Sequence, residues 1–206
     1  MKEECIMNVV APIKDKRSIN KIKKSLSKGR FGERNVLIFS MGINTAYRIS
    51  DLRYLKLSDV LTIKNKNKIV VKDRLALKEQ KTGKYNSIIL SNQLREDIWK
   101  YTVKNFPEYL DNLDLAHYLF PSGKGLDKPM NRQTLWAILN RAANENGIPN
   151  IGSHSMRKTF GYFLYKNKVS IEIIQELLNH SSQKDTLRYI GITQEDKDLA
   201  VINLNL

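Results

Sequence analysis

HSMRKTFGYFLYKNKVSIEIIQELLNHSSQKDTLRY, residues 154–189, reads as a helix, a second helix and a short helix or turn, with polar breaks between them. Ser153 is placed to cap the first helix, and Phe160, Phe163 and Leu164 form its buried side. His154 and Arg157 are three residues apart and so share a face. Ser170 is placed to cap the second helix, which turns Ile171, Ile174, Leu177 and Leu178 inward and ends near Asn179 and His180. After the turn SSQK (181–184) comes Tyr189. A phenol becomes a nucleophile when cations stabilise the charge that develops on the group it attacks, so two imidazoles, a guanidinium and a tyrosine together point to attack on a phosphate. Taken singly, each has a commoner reading: a packed tyrosine, a solvated arginine, a capping histidine.

Working outward, residues 131–146 form an amphipathic pattern capped at Asn131 and stopped by Gly147, with Leu135, Ile138, Leu139 and Ala142 on one stripe and Arg132 and Arg141 free to face solvent or DNA. Residues 91–106 read as a helix capped by Ser91 and ended by Pro107. The stretch 108–127 reads as irregular, with YLFP (118–121) pinned to the core and SGKG (122–125) a turn. It lacks the spacing of a phosphate-binding GxxxxGK[ST] loop, so nucleotide hydrolysis finds no support. His117 stands alone and reads as structural. Upstream, 69–72, 75–78 and 85–90 have strand character. The turn QKTGK (80–84) between the last two puts Lys81 at a hairpin tip, with Lys84 beside it. Residues 31–46 are apolar around most of a helical circumference, as expected for a core helix. Ser50 is placed to cap the next helix, which leaves Arg48 in the intervening turn. Residues 13–30 carry Lys14, Lys16, Arg17, Lys21, Lys23, Lys24, Lys28 and Arg30 against one acid, Asp15, with Ile19, Ile22 and Leu26 at helical spacing. One face of that segment can dock while its cations lie along phosphates or in solvent.

The whole chain agrees with an anionic partner. Its 206 residues hold 35 Lys+Arg against 21 Asp+Glu, a net charge of +14. Double-stranded DNA is the first candidate, an anionic membrane surface the second. The apolar runs are far shorter than a bilayer span and the N-terminus shows no signal pattern, so the expected location is cytoplasmic. The single cysteine, Cys5, allows neither an internal disulfide nor a cysteine-based zinc cage, and three separated histidines make no metal-ligand set. The organisation read from these patterns is a basic arm (1–30), one mainly α domain with a small antiparallel β-sheet (31–192), and a C-terminal tail (193–206) whose Leu199, Val201, Ile202, Leu204 and Leu206 need a surface to pack on.

Five elements in order, YRISDL (47–52), KTGK (81–84), HSMR (154–157), LLNH (177–180) and Tyr189, resemble the catalytic domain of the tyrosine recombinases, the phage-integrase family. The resemblance runs from about residue 31 to 192. It implies that fold and a site-specific recombinase or integrase, of the kind that mobile elements carry, working through a 3′-phosphotyrosine without metal, nucleotide or other cofactor. It further implies that Tyr189 attacks the scissile phosphate, that Arg48 and Arg157 hold it, and that Lys81 protonates the leaving 5′-oxygen. His154 then serves as acid and base, His180 hydrogen-bonds the phosphate, and Asp51 orients its neighbours. The family implies a tetramer on DNA with C-terminal segments passed between protomers. Two departures stand out. Asn179 replaces the usual glycine before the second histidine, and only about thirty basic residues precede the core where members usually carry a separate DNA-binding domain. The second leaves room for an accessory DNA-binding protein. The rival enzyme is a type IB topoisomerase, with a protelomerase-like resolvase a remoter one. The rival of another kind is a non-catalytic DNA-binding module of the same fold.

Overall fold

The computed structural model describes residues 10–149, 151–152 and 154–204. The chain wraps α2 (Gly32–Asn44), whose Leu37, Ile38, Phe39 and Met41 are all buried. Such all-round burial is what its apolar circumference dictates. Against it pack α1 (Lys16–Leu26), α5 (Asn92–Asn105) and α8 (Ser155–Lys166). The approach of α2 and α8 depends on Gly42: a Cβ there would lie 2.6 Å from the Met156 sulfur.

The basic segment is tied down. Asp15 caps α1 by accepting from the Ser18 N–H, and Ile13, Ile22 and Leu26 join the core while Lys14, Lys16, Arg17, Lys21 and Lys24 stay exposed. Ahead of it, the Ile13 N–H donates to Thr159 Oγ1 at 2.8 Å and Lys158 donates to the Val10 carbonyl at 2.6 Å, so residues 10–13 run along α8.

After α2 the chain turns at Arg48 into α3 (Ile49–Arg53) and α4 (Leu57–Val60). The N-cap of α3 is Arg48 and not Ser50, because Asp51 rather than a serine hydroxyl accepts the free N–H of the first turn, at 3.2 Å from Arg48 N. Among the described residues the β structure consists of three antiparallel pairs, not one small sheet. These are β1 (Leu61–Lys64) with β2 (Lys68–Val71), β3 (Arg74–Lys78) with β4 (Tyr85–Ile89), and β5 (Pro121–Ser122) with β6 (Gly125–Pro129). In the β3–β4 hairpin, Leu75 pairs with Ile88, and both point into the core.

Ser91 caps α5 through the Leu94 N–H, as its position predicts. Pro107 does more than stop that helix: it opens α6 (Pro107–Asp111), where its missing N–H costs nothing. The stretch 108–127 is therefore less irregular than its composition suggests, although Leu119 and Phe120 are fully buried as expected. His117 is structural, 3.0 Å from Asp114 and stacked edge-on against Tyr109. Asn131 caps α7 (Arg132–Asn144), and α9 (Ile171–Leu177) and α10 (Gln183–Tyr189) follow α8. The N-cap of α8 is His154; the expected cap, Ser153, lies outside the described residues, as do Cys5 and Leu206. Gly161 on α8 lets the end of α10 close down, since a Cβ there would stand 2.6 Å from Ile190, next to Tyr189. The tail forms α11 (Gln194–Ile202), capped by Thr193, with Leu199, Val201, Ile202 and Leu204 uncovered. Among the described residues no helix is long and apolar enough to cross a membrane.

Candidate active site

The site forms where the α2–α3 turn, the N-terminus of α8, the α9–α10 turn and the end of α10 meet. Arg157, on the first turn of α8, is only 2 % exposed and is held by two backbone carbonyls. Its Nη1 donates to Ala46 O and its Nη2 to Leu178 O, the latter at 2.5 Å. Those bonds fasten the guanidinium between the α2–α3 turn and the end of α9. Arg48 comes from that same turn, half-buried, and its Nη1 is bonded to Glu79. Asp51, 5 % exposed, steadies both the turn and the hairpin: one carboxylate oxygen accepts from Arg48 N, the other from Gln80 N at 3.0 Å.

Tyr189 sits at the C-terminal end of α10. Its hydroxyl lies 3.5 Å from His154 Nδ1, and its ring meets the His180 ring edge-on with centroids 4.8 Å apart. Burial raises its pKa above the ordinary phenol value, and the Arg157 and Arg48 charges with a hydrogen bond to Arg157 only partly offset this. The phenol is therefore protonated at neutral pH. Loss of hydration and the charges of Arg132, Arg157, Arg48 and Lys158 lower the His154 pKa, so its imidazole is neutral and able to accept a proton.

His180 is more strongly perturbed. Burial, then the Arg157 and Arg48 charges, push its pKa down to about 4. Its Nδ1 lies 3.2 Å from Thr186 Oγ1, whose own proton goes to Ser182 O at 2.9 Å. The threonine oxygen can then only accept, which fixes the proton on Nδ1 and leaves Nε2 bare in the neutral ring. The residue before it, Asn179, has φ +49°, in the left-handed region. That is the conformation for which glycine is suited and asparagine is the best-tolerated substitute, so the departure at this position is accommodated.

An open recess of about 570 Å³ lies beside this cluster, lined by Lys158, Asn179, His180, Ser181, Asp185, Arg188 and Tyr189. Arg48, His154, Arg157, His180 and Tyr189 thus come together. Lys81 and Lys84 do not join them: both are exposed on the β3–β4 hairpin, and Lys81 makes no ion pair or hydrogen bond among the described residues. Of the cations expected to meet DNA, Arg132 and Arg141 are exposed on α7, and Arg132 is near enough to His154 to affect its titration. Lys14 is paired with Asp196 at 3.8 Å, and Lys23 is only half-exposed. Two residues at the site escape sequence reasoning. Lys158 places its ammonium 5.3 Å from the Tyr189 ring centroid. Glu79 is fully buried against both arginines, 3.7 Å from Arg157 and bonded to Arg48.

Residues 14–196 match the model of the phage integrase family. The chain is 36% identical over 189 residues to the probable integrase/recombinase YoeC of Bacillus subtilis (strain 168), covering 92% of this chain and 93% of that protein. It is 26% identical to the tyrosine recombinase XerA of Pyrococcus furiosus, over 91% of this chain but 60% of XerA. Among solved structures, that of XerA recombinase superposes over 99% of this chain and 67% of XerA with a TM-score of 0.70 at 17% identity. That of XerH site-specific recombinase bound to palindromic difH substrate superposes over 97% of this chain and 53% of XerH, with a TM-score of 0.68 at 19% identity. These two likenesses establish the fold as that of the tyrosine recombinases. With the match spanning nearly its full length, the chain belongs to the phage integrase family.

Proposed function

We propose that this protein is a site-specific DNA recombinase or integrase that cleaves and rejoins double-stranded DNA through a 3′-phosphotyrosine. The observation that carries the reading is the convergence of the Tyr189 hydroxyl with two imidazoles and two guanidiniums beside one open recess. In this reading the Tyr189 oxygen attacks the scissile phosphorus while its proton passes to neutral His154. The 5′-oxygen leaves, taking a proton from Lys81, and resealing runs the same steps backwards. Arg48 and Arg157 hold the non-bridging oxygens, and Asp51 keeps the Arg48 turn and the hairpin in register. Lys81 begins exposed at a hairpin tip, and it reaches the leaving oxygen when DNA lies across the recess. Lys14, Lys16, Arg17, Lys21, Lys23, Lys24, Lys84, Arg132 and Arg141 supply phosphate contacts. Residues 31–192 form the catalytic domain, the basic arm ahead of them is docked on it through Ile13, Ile22 and Leu26, and the tail is exchanged between protomers of a DNA-bound tetramer. The work is done in the cytoplasm, where an accessory DNA-binding protein can add to the protein's own choice of site.

The test starts with a randomised duplex pool, from which the protein selects its site. A nicked version of that site, incubated with protein in chelator, is expected to give an adduct that survives denaturation. Two duplexes bearing the site are expected to exchange strands. Relaxation of plasmid regardless of sequence would reassign the protein to type IB topoisomerase chemistry, and binding without adduct would reassign it to a non-catalytic module.

The His180 geometry sets a pH dependence. Below the ordinary imidazole pKa of about 6.5 the unfolded chain takes up a proton that the free fold refuses until about pH 4, so this group's contribution to stability is present above 6.5 and lost as pH falls. A bound phosphate has the opposite preference, because Nε2 must carry a proton to donate to it. DNA affinity is therefore expected to strengthen between pH 7 and pH 5. The His180→Gln variant should show a shallower rise, by up to about one unit of log K per pH unit. Equal slopes in titrations of the two proteins would remove His180 from phosphate binding.

A further inference from the structure

Glu79 lies at the base of the β3–β4 hairpin, directly after β3, in a sequence, KEQKTGK, that reads as an exposed turn. Its side chain is nevertheless completely shielded from solvent. One carboxylate oxygen accepts from Arg48 Nη1 and from Thr82 Oγ1 at 2.9 Å. The other accepts from Asn179 Nδ2 at 3.0 Å and Asn86 Nδ2 at 3.4 Å, and stands 3.7 Å from Arg157 Nη1. Asn86 in turn bonds Leu177 O at 3.2 Å. Five side chains from the α2–α3 turn, the hairpin, α8 and the α9–α10 turn thus meet on one anion. Burial by itself would raise the Glu79 pKa, but the bonds from Arg48, Thr82 and Asn179 and the Arg157 charge outweigh it and hold the carboxyl below its usual range.

Two guanidiniums aimed at one phosphate repel each other, and the Arg48 guanidinium has few fixed partners: Glu79 is the single acceptor bonded to it among the described residues. Arg157 is already fastened by two carbonyls. From this geometry we infer that Glu79 is a positioning residue for strand cleavage. It takes one N–H of Arg48, offsets the Arg48–Arg157 repulsion, and ties both to the hairpin that carries Lys81. Because the carboxylate is walled in, it forms the back of the cation pocket and leaves the remaining Arg48 donors for the phosphate. The inference rests on the strand-transfer reading and adds a residue that acts through Arg48, not on the DNA itself.

The experiment measures single-turnover adduct formation on the nicked selected duplex at saturating DNA, alongside the Kd for the same DNA and the melting temperature. Glu79→Gln keeps shape and removes charge. It is expected to slow adduct formation by about 10- to 100-fold while Kd stays within about threefold. In an Arg48→Ala background, adding Glu79→Gln is expected to change the residual rate by less than about threefold, since the residue it acts through is gone. Should Glu79→Gln fail to fold, Asn179→Gly, which suits the left-handed backbone there, and Thr82→Ala, each deleting one bond to the carboxylate, carry the same comparison with smaller losses. A wild-type rate in folded Glu79→Gln, an undiminished loss in the Arg48→Ala background, or a loss confined to Kd would each overturn the positioning role while leaving strand transfer intact. No adduct from the wild-type protein would overturn the strand-transfer reading, and this inference with it.

Discussion

Tyr189→Phe is expected to abolish the covalent protein–DNA adduct, lowering cleavage by at least about 10⁴-fold, with DNA affinity and folding almost unchanged. The separation between chemistry and stability follows from where the hydroxyl stands. Its contacts are a long one to His154 Nδ1 at 3.5 Å and one to Arg157, which keeps both of its carbonyl partners when the oxygen is removed, and the ring keeps its packing against His180 with the Lys158 ammonium over its face. Deleting so weakly bonded a group should move stability by no more than about 0.5 kcal/mol. Gel analysis of adducts with matched Kd and melting measurements checks both halves. Adduct persisting in the phenylalanine variant would place the nucleophile elsewhere.

Arg157 should behave in the opposite way, with chemistry and stability failing together. Its two bonds to Ala46 O and Leu178 O and its approach to Glu79 lie in a region from which water is excluded. Arg157→Ala strands two carbonyls and removes one of the charges that balance Glu79. That should cost roughly 3–5 kcal/mol and lower the melting temperature by roughly 10 °C. Arg157→Lys restores a charge without the planar fork and cannot serve both carbonyls and a phosphate at once. It should retain more of the stability yet cleave about 10²- to 10³-fold slower than wild type. Thermal melts and single-turnover cleavage of the two variants separate these effects. A lysine variant with full activity would show that the bidentate geometry is dispensable.

Much of this fold is legible from helical stripes and caps. Ser91, Asn131 and the apolar face of residues 31–46 announce their helices because local hydrogen bonding and burial period act within a few residues. β1 is harder to read, since LTIK offers a single alternation before a lysine- and asparagine-rich turn, and its strand state depends on pairing with β2. Pro107 looks like a stop because the sequence alone does not say that a new helix begins on it. At the site, Arg48, His154, Arg157, His180 and Tyr189 are found through their order and spacing. Glu79 is not, because nothing within the hairpin indicates burial. Its partners Arg48 and Asn179 are 31 and 100 residues away, and only the folded chain brings them onto one carboxylate. Lys158 is missed for a related reason: beside an arginine it reads as a solvated cation, and its bond to Val10 O requires residues 10–13 to lie along α8.

The most direct measurement is to digest the denatured protein–DNA complex with protease and nuclease and locate the attached nucleotide by mass spectrometry. The account predicts a nucleotide joined through its 3′-phosphate to Tyr189, with a free 5′-hydroxyl on the released strand. A 5′-phosphate linkage, or attachment to any other residue, would contradict it.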